Sequence, residues 1–341
     1  MRSRADRAVG LALGVFADVV FADPRRFHPV AGFGRAAGWL ERALYRDDRR
    51  RGAIFTATSV GIVVALGAAA ERVARHRPVL RAGITATATW AVLGGTSLSR
   101  EGTRMAAELE AGDLASARSR LRNLCARDPT DLDAGAVARA TVESLAENSS
   151  DAVVAPLLWG AVAGLPGLLG YRAVNTLDAM VGYRDQRYLR FGWASARLDD
   201  LANVVPARLA AGLTAMAAPT VGGSCRASLR VLRRDGRRHP SPNAGLPEAA
   251  TAGALGVTLG GVNSYGGQPE RRPELGEGPA PEVSDLRRAV RLGRVVRLAS
   301  AVTAVGVAVA LAAGGRPRAG RGYAPVADTA YIPGGSGRRC R

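Results

Sequence analysis

Residues 152 to 170 read Ala-Val-Val-Ala-Pro-Leu-Leu-Trp-Gly-Ala-Val-Ala-Gly-Leu-Pro-Gly-Leu-Leu-Gly, an unbroken apolar run long enough to cross a bilayer. Its flanks are the opposite. Upstream stands Arg139-Ala-Thr-Val-Glu-Ser-Leu-Ala-Glu-Asn-Ser-Ser-Asp151. Downstream come Tyr171-Arg-Ala-Val-Asn-Thr-Leu-Asp178 and then Phe191-Gly-Trp-Ala-Ser-Ala-Arg-Leu-Asp199-Asp200-Leu-Ala-Asn203-Val-Val-Pro-Ala-Arg208. Carboxylates, carboxamides and arginines crowd both ends of a membrane-length segment, where packing has no use for them, and such a concentration marks a functional site.

Glu143, Glu147 and Asp151 recur every fourth residue, so on a helix they share one face and repel one another. A cation or an arginine opposite them would relieve this, and a hard cation such as Mg2+ takes carboxylate oxygen while keeping several waters. Asp199 and Asn203 repeat the spacing on a second segment, with Asp200 and Arg208 close by. The alternative is a solvated face on which Glu143 and Glu147 pair with Arg139. It fits Glu147, Asn148 and Asp151 less well, because they run straight into the apolar segment.

Working outward, further apolar stretches of near-spanning length occur at 52–70, 82–98, 201–223 and 298–315, with a shorter one at 9–22. Several are rich in Ala and Gly, the residues that close helix packing in a bilayer uses. The expected fold is all-α: a polytopic membrane helical bundle with interfacial amphipathic helices and a polar cleft near one membrane face. Residues 1–315 form one membrane-embedded domain in this reading, and the Gly/Arg-rich tail 316–341 is expected to be disordered. Stretches 52–70 and 82–98 read as an anchoring helical hairpin. Met105, Leu109, Leu114, Ala117, Leu121 and Leu124 are spaced for an amphipathic helix pair broken near Gly112-Asp113.

The chain carries 47 basic residues, all arginine, and a net charge of +18. The arginines populate nearly every polar connection, and aromatic residues make up only 5%, too few for a base-stacking platform. No nucleic-acid partner is expected, whereas attraction to anionic headgroups of the lipid bilayer follows directly. Cys125, Cys225 and Cys340 are far apart and odd in number, offering neither a disulfide framework nor a CxxC metal signature. Arg2, Arg4 and Arg7 before an apolar run look like a signal peptide, but Asp18 and Asp23 argue for an uncleaved first membrane segment.

Two loops stand out. Asp23-Pro24 and His28-Pro29 place Asp23 and His28 on an irregular connection able to point both side chains at one ligand, although Asp-Pro is also a common turn starter. Gly32-Phe-Gly34 before a helix from Arg35 could bring backbone amides to an anion. His239-Pro-Ser-Pro-Asn-Ala-Gly-Leu-Pro247-Glu248 is too rich in proline for regular structure, so a rigid loop presenting His239, Ser241 and Asn243 is predicted. A helix over 249–262 and an exposed loop over 268–284 follow.

The stretches DVVFADPRRFHPV (18–30), RATVESLAENSSDAVVAPLLW (139–159), YRAVNTLDAMVGY (171–183), FGWASARLDDLANVVPARL (191–209) and HPSPNAGLPEAATAGALGV (239–257) closely resemble the adenosylcobinamide-phosphate synthase family, also called CobD/CbiB, of cobalamin biosynthesis. The resemblance is collinear over roughly residues 8–312. Ala152 stands where the family more often has glycine, Leu246 replaces a frequent tryptophan, and the arginine-rich tail has no counterpart. None of these departures touches a charged motif residue.

The resemblance implies a multi-pass enzyme of the cell membrane with its active site facing the cytoplasm. It would join adenosylcobyric acid, through a propionate carboxylate, to aminopropanol or its phosphate, using ATP and Mg2+. Association with other corrin-pathway enzymes is a further expectation. Chemically, a carboxylate is a poor electrophile and an ammonium is no nucleophile, so the first must be activated and the second deprotonated. A chain without lysine cannot carry a Walker A motif, so arginine, metal or backbone amides must meet the phosphate charge. Motif and chemistry together assign Glu147, Asp151, Asp199 and Asp200 to Mg2+, and Asp23, His28 and Glu147 to catalysis. Arg184, Arg197 and Arg208 are assigned to phosphates, and Asn148, Asn175, Asn203, His239, Ser241 and Asn243 to substrate, with Asp178 and Glu248 as second choices for metal or base. A non-catalytic AmpE-type membrane signalling paralogue and a transporter remain open as other readings.

Overall fold

The computed structural model describes residues 2–23, 28–125, 128–265 and 268–314, so the tail 316–341 lies outside the described residues. In chain order the elements are α1 (Arg2–Phe21), α2 (Pro29–Leu44), α3 (Arg49–Val73), α4 (Pro78–Val92), α5 (Gly95–Glu110), α6 (Leu114–Leu121) and α7 (Ala134–Ser149). A π-helical turn, Ser150–Val154, joins α7 to α8 (Ala155–Val181). Then come α9 (Trp193–Ala202), α10 (Val204–Ala217) with a 3-10 turn Ala218–Val221, α11 (Cys225–Asp235), α12 (Gly245–Leu255), strands β1 (Leu259–Tyr265) and β2 (Gln268–Leu275), and α13 (Val283–Gly314).

Local sequence sets many of these boundaries. Asp48, Asp113 and Asp133 cap α3, α6 and α7 by accepting the backbone N–H of Arg51, Ser116 and Ala136. Proline opens α2 and α4, where a missing N–H costs nothing. The amphipathic pair is α5 and α6, with Met105, Leu109, Ala117 and Leu121 buried as the spacing predicts.

Four helical stretches, Arg49–Val73, Ala134–Val181, Val204–Val221 and Val283–Ala313, are long and apolar enough to cross a membrane. Exposed apolar side chains mark the lipid-facing belt: Val9, Leu13 and Phe16 on α1, Ile62 and Leu66 on α3, and Leu298, Val302 and Val309 on α13. Val204–Val221 is 56% buried, against 22% for Arg49–Val73, because α10 packs on α12 and the first half of α13. There it joins the largest core, which also takes in Met105, Leu121, Val137 and Leu259. The protein is thus a helical membrane bundle whose largest core lies among α5, α7, α10, α12 and the first half of α13.

The run 152–170 is not a single crossing. Gly164 (φ 68°, ψ −151°) breaks α8 into two arms. Asp151 and Asn175 lie 24 residues apart, about 36 Å along a continuous helix at ~1.5 Å per residue, yet their side chains meet at 3.5 Å. The chain therefore doubles back, and outside charges cap the turn. Arg7 Nη1 donates to the carbonyls of Ala161 (3.2 Å) and Val162 (3.3 Å), at the C-terminal end of the first arm. Glu71 Oε1 accepts Leu165 N–H (3.0 Å), at the start of the second arm. Arginine meets the negative end of one helix and glutamate the positive end of the other. Arg7 and Glu71 themselves pair at 3.6 Å.

Other expectations need correcting. Stretch 82–98 is cut at Leu93-Gly94 into α4 and α5. No anchoring hairpin forms with α3: α4 packs on α1, and α3 packs on α8. The α1·α4 contact is close because Gly10 and Gly14 meet Thr85 and Thr89, small residues four apart on both helices. Gly32 and Gly34 fall inside α2, whose first turn begins at Pro29, so their amides are committed to the helix. The helix over 249–262 stops at Leu255, and the expected loop from 268 begins as β2, antiparallel to β1.

Candidate active site

Asp151 stands in the π-helical turn, whose wider spacing rotates it off the regular path of α7. Across from it on the second arm of α8, Asn175 Nδ2 donates to Asp151 Oδ2 (3.5 Å) and to Asp199 Oδ1 (3.4 Å). Asn203, buried at the junction of α9 and α10, donates to Asp199 Oδ2 at 3.0 Å and accepts from the Tyr171 hydroxyl at 2.8 Å. One amide nitrogen thus stands between two carboxylates. Glu147 and Asp178 are close enough to act on Asp151, and Asp178 and Asp200 on Asp199. Burial and then the Asp178 charge push the Asp199 pKa up to about 7. Burial also raises Asp200, opposed by the charges of Arg197 and Arg184.

The connection after α1 supplies the other side. Burial raises the Asp23 pKa, opposed by a hydrogen bond from Ser97, with the charges of Asp18 and Arg172 within reach. Asp23 Oδ1 is buried without a hydrogen-bond partner. His28 caps α2, Nδ1 accepting Val30 N–H at 3.2 Å. A neutral ring bonded this way carries its proton on Nε2. Arg172, one turn before Asn175, is within electrostatic reach of both Asp23 and Asp151.

Among the described residues no three His, Cys, Asp or Glu side chains close on one metal position. The donor set is instead a carboxylate pair, Asp151 and Asp199, with Glu147 and Asp200 behind it. That set fits Mg2+, which takes one or two carboxylates and completes its shell with water and substrate phosphate.

Not every expected residue joins this centre. Arg197 meets Asp200 at 3.8 Å and Arg184 acts on the same carboxylate, both exposed at the rim. Asn243 Nδ2 donates to the Asp200 carbonyl at 2.7 Å and Arg208 donates to Asn243 Oδ1 at 3.4 Å, so the proline-rich loop docks on α9. Ser241 Oγ accepts the N–H of Asn243 and of Ala244 and serves the turn itself. His239 faces Glu248 (3.9 Å) and Arg272 (3.4 Å) in a second buried polar group. Asn148 donates back to Ser144 on its own helix. Glu143 is buried and accepts Gly260 N–H at 2.6 Å, while Arg139 donates to the Val262 carbonyl. Those two residues pin the β-hairpin to α7 and do not form a solvated ion pair.

Tyr171, Arg172 and Ser97 belong to the centre although motif and spacing assigned them no role. The available signal was Tyr-Arg inside an apolar helix, since an arginine at membrane depth needs a reason. Nor does the sequence disclose that Asp18 is fully buried, accepting from Thr96 Oγ1 (3.0 Å) and Arg297 Nη1 (3.2 Å) and so tying α1 to α5 and α13.

A family model described as CobD/Cbib protein matches residues 11–293, a span that includes every residue of this centre. The chain belongs to the CobD/Cbib family. It is 56% identical over 300 residues to the cobalamin biosynthesis protein CobD of Mycobacterium tuberculosis strain H37Rv, covering 88% of this chain and 95% of that one. The proteins of the same name from Geobacter metallireducens and Rhodobacter capsulatus are each 45% identical, over 284 residues (82% and 89% covered) and 293 residues (84% and 90% covered). No solved structure matches. CobD/Cbib membership puts the chain among the proteins of cobalamin biosynthesis.

Proposed function

We propose that the chain is an adenosylcobinamide-phosphate synthase. It makes an amide between a propionate carboxylate of adenosylcobyric acid and the amine of aminopropanol or its phosphate, at the expense of ATP. The observation that supports this reading is Arg172 within electrostatic reach of both Asp23 and Asp151, with Asp151 joined to Asp199 through Asn175. Amide synthesis from a carboxylate needs a phosphate-binding half and a proton-accepting half in contact with one reacting group, and family membership supports the substrate class.

In the proposed sequence a carboxylate oxygen of the corrin attacks the γ-phosphorus of ATP; an O–P bond forms, the bond to the β-phosphate oxygen breaks, and ADP leaves. The amine nitrogen then attacks the acyl carbon, a C–N bond forms, and inorganic phosphate departs. Asp151 and Asp199, backed by Glu147 and Asp200, would hold Mg2+, which supplies charge neutralisation on the phosphates. Arg184 and Arg197 at the rim reach phosphate oxygens. Asp23 accepts the ammonium proton, and its raised pKa suits it to that task. His28, whose Nδ1 is taken by the Val30 N–H, would donate a hydrogen bond from Nε2 and orient the carboxylate. Asn175 and Asn203 keep the carboxylates in register.

The site faces the cytoplasm of a plasma-membrane protein in this proposal, because that is where ATP is available. Purified protein in detergent, given adenosylcobyric acid, aminopropanol phosphate and Mg-ATP, should yield a product heavier by the amine minus water. Asp199→Ala and Asp200→Ala should abolish it while membrane insertion persists. Wild-type turnover in both variants would refute the metal assignment, and no product from the wild type would refute the reaction.

A further inference from the structure

Arg172 is a half-buried cation whose surroundings do not balance it. Its Nε is buried with no hydrogen-bond partner, and among the described residues its one side-chain hydrogen bond is a long one, from Nη1 to Asn175 Oδ1 at 3.4 Å. Among the described residues no carboxylate comes within ion-pair distance, although Asp23 and Asp151 are near enough to act on it. Asp23 Oδ1 is buried and without a hydrogen-bond partner as well. A guanidinium carries five N–H donors in a planar fork, and a buried polar group without partners is costly unless something arrives to satisfy it. What a half-empty fork fits is a planar or tetrahedral oxyanion taken with two parallel hydrogen bonds.

We propose that Arg172 is the receptor for the reacting oxyanion, holding the substrate carboxylate and then the acyl phosphate made from it. This rests on the amide-ligase reading and names the residue at its centre. The reacting carboxyl group must touch the transferred phosphoryl group first and the amine second. Arg172 is within electrostatic reach both of Asp151, one of the carboxylates that would hold phosphate-bound metal, and of Asp23, which would take the amine proton. Its charge stays fixed throughout, so it steadies negative charge in both steps without moving a proton. Lysine in the same place would keep the charge but lose the fork.

The test compares Arg172→Lys, Arg172→Gln and Arg172→Ala with wild type, all checked for monodisperse behaviour in detergent. Losing a charge-assisted pair of hydrogen bonds should raise KM for adenosylcobyric acid by about tenfold to a hundredfold. KM for ATP should stay within about threefold of wild type, since each 1.4 kcal/mol is tenfold and no nucleotide contact is removed. Millimolar guanidinium ion should restore part of the activity of Arg172→Ala and none of Asp199→Ala, which a structural role would not produce. Unchanged KM for the carboxylate substrate in a folded variant overturns the proposal. A rise confined to the KM of ATP overturns it too, by giving the guanidinium to the nucleotide. Equilibrium binding of the coloured adenosylcobyric acid, without ATP or amine, is measured alongside. If the wild type makes no amide, the ligase reading fails, and this binding arm still decides Arg172: weaker binding in all three variants supports it, and equal binding overturns it.

Discussion

Gly164→Ala tests the doubled-back helix directly. At φ 68°, ψ −151° the residue sits in a region open essentially only to glycine, and holding alanine there costs about 1–3 kcal/mol. A methyl group would also overlap the Glu71 carboxylate and stand 2.6 Å from Arg7 Nη2. The clip must therefore open, forfeiting a charge-assisted hydrogen bond worth about 1.5–3 kcal/mol. The two terms together predict a loss of about 2.5–6 kcal/mol, summed from those same ranges. Denaturant titration in detergent reads it, with Gly61→Ala as control. Gly61 lies inside α3 with nothing within 4 Å of where a Cβ would stand, so alanine there should stabilise by about 0.5–1 kcal/mol. In a Glu71→Ala background the cap is already gone, and Gly164→Ala should cost only its backbone term, giving a coupling of about 1.5–3 kcal/mol. A neutral Gly164→Ala, or strictly additive single and double variants, would refute the capped turn.

Three further outcomes follow from the same geometry. Folded Asp199 keeps its proton up to about pH 7 while the unfolded chain releases it near 3.8, so without metal the stability contribution of this group falls as pH rises between those values. Mg2+ binds the deprotonated form, so its stabilising effect on Tm should grow as pH rises through about 7; a shift independent of pH would count against Asp199 as a ligand. Arg297→Met strands the Asp18 carboxylate in the bundle interior and should cost about 3–5 kcal/mol, most of it recovered by Asp18→Leu in the same chain; an unfolding midpoint unmoved by Arg297→Met would remove the ion pair from the account. Glu143→Ala leaves Gly260 N–H without its acceptor and should speed amide exchange in β1, a loss of about 1–3 kcal/mol locally; unchanged protection would show that the hairpin holds without it.

The parts of this fold that were legible are those whose causes are local. The break at Gly112-Asp113 announces itself through a capping aspartate, and the burial of Met105, Leu109, Ala117 and Leu121 follows from helical spacing alone. The reversal at Gly164 was hidden because hydropathy has no direction: a crossing and a hairpin of equal length are equally apolar. What bends the run is Arg7 and Glu71, both far away in sequence. The hairpin 259–275 was obscured by Pro269 and Pro273 in its second strand, and its anchors, Glu143 and Arg139, belong to α7. In the candidate site, Asp151, Asp199, Asn175 and Asn203 were readable because charge and amide beside an apolar run demand explanation. Arg172 offered a signal, an arginine inside an apolar helix, but that its Nε is left without a partner follows from tertiary packing and not from local sequence.

Asp18 and Arg297 are separated by 279 positions, one in the first helix and the other in the last. The carboxylate precedes its counter-charge by most of the chain, so this ion pair can form only after α13 has been made. The last helix is therefore what neutralises the charge buried in the first, and a chain shortened before residue 297 would keep Asp18 with Thr96 as its partner and without the guanidinium.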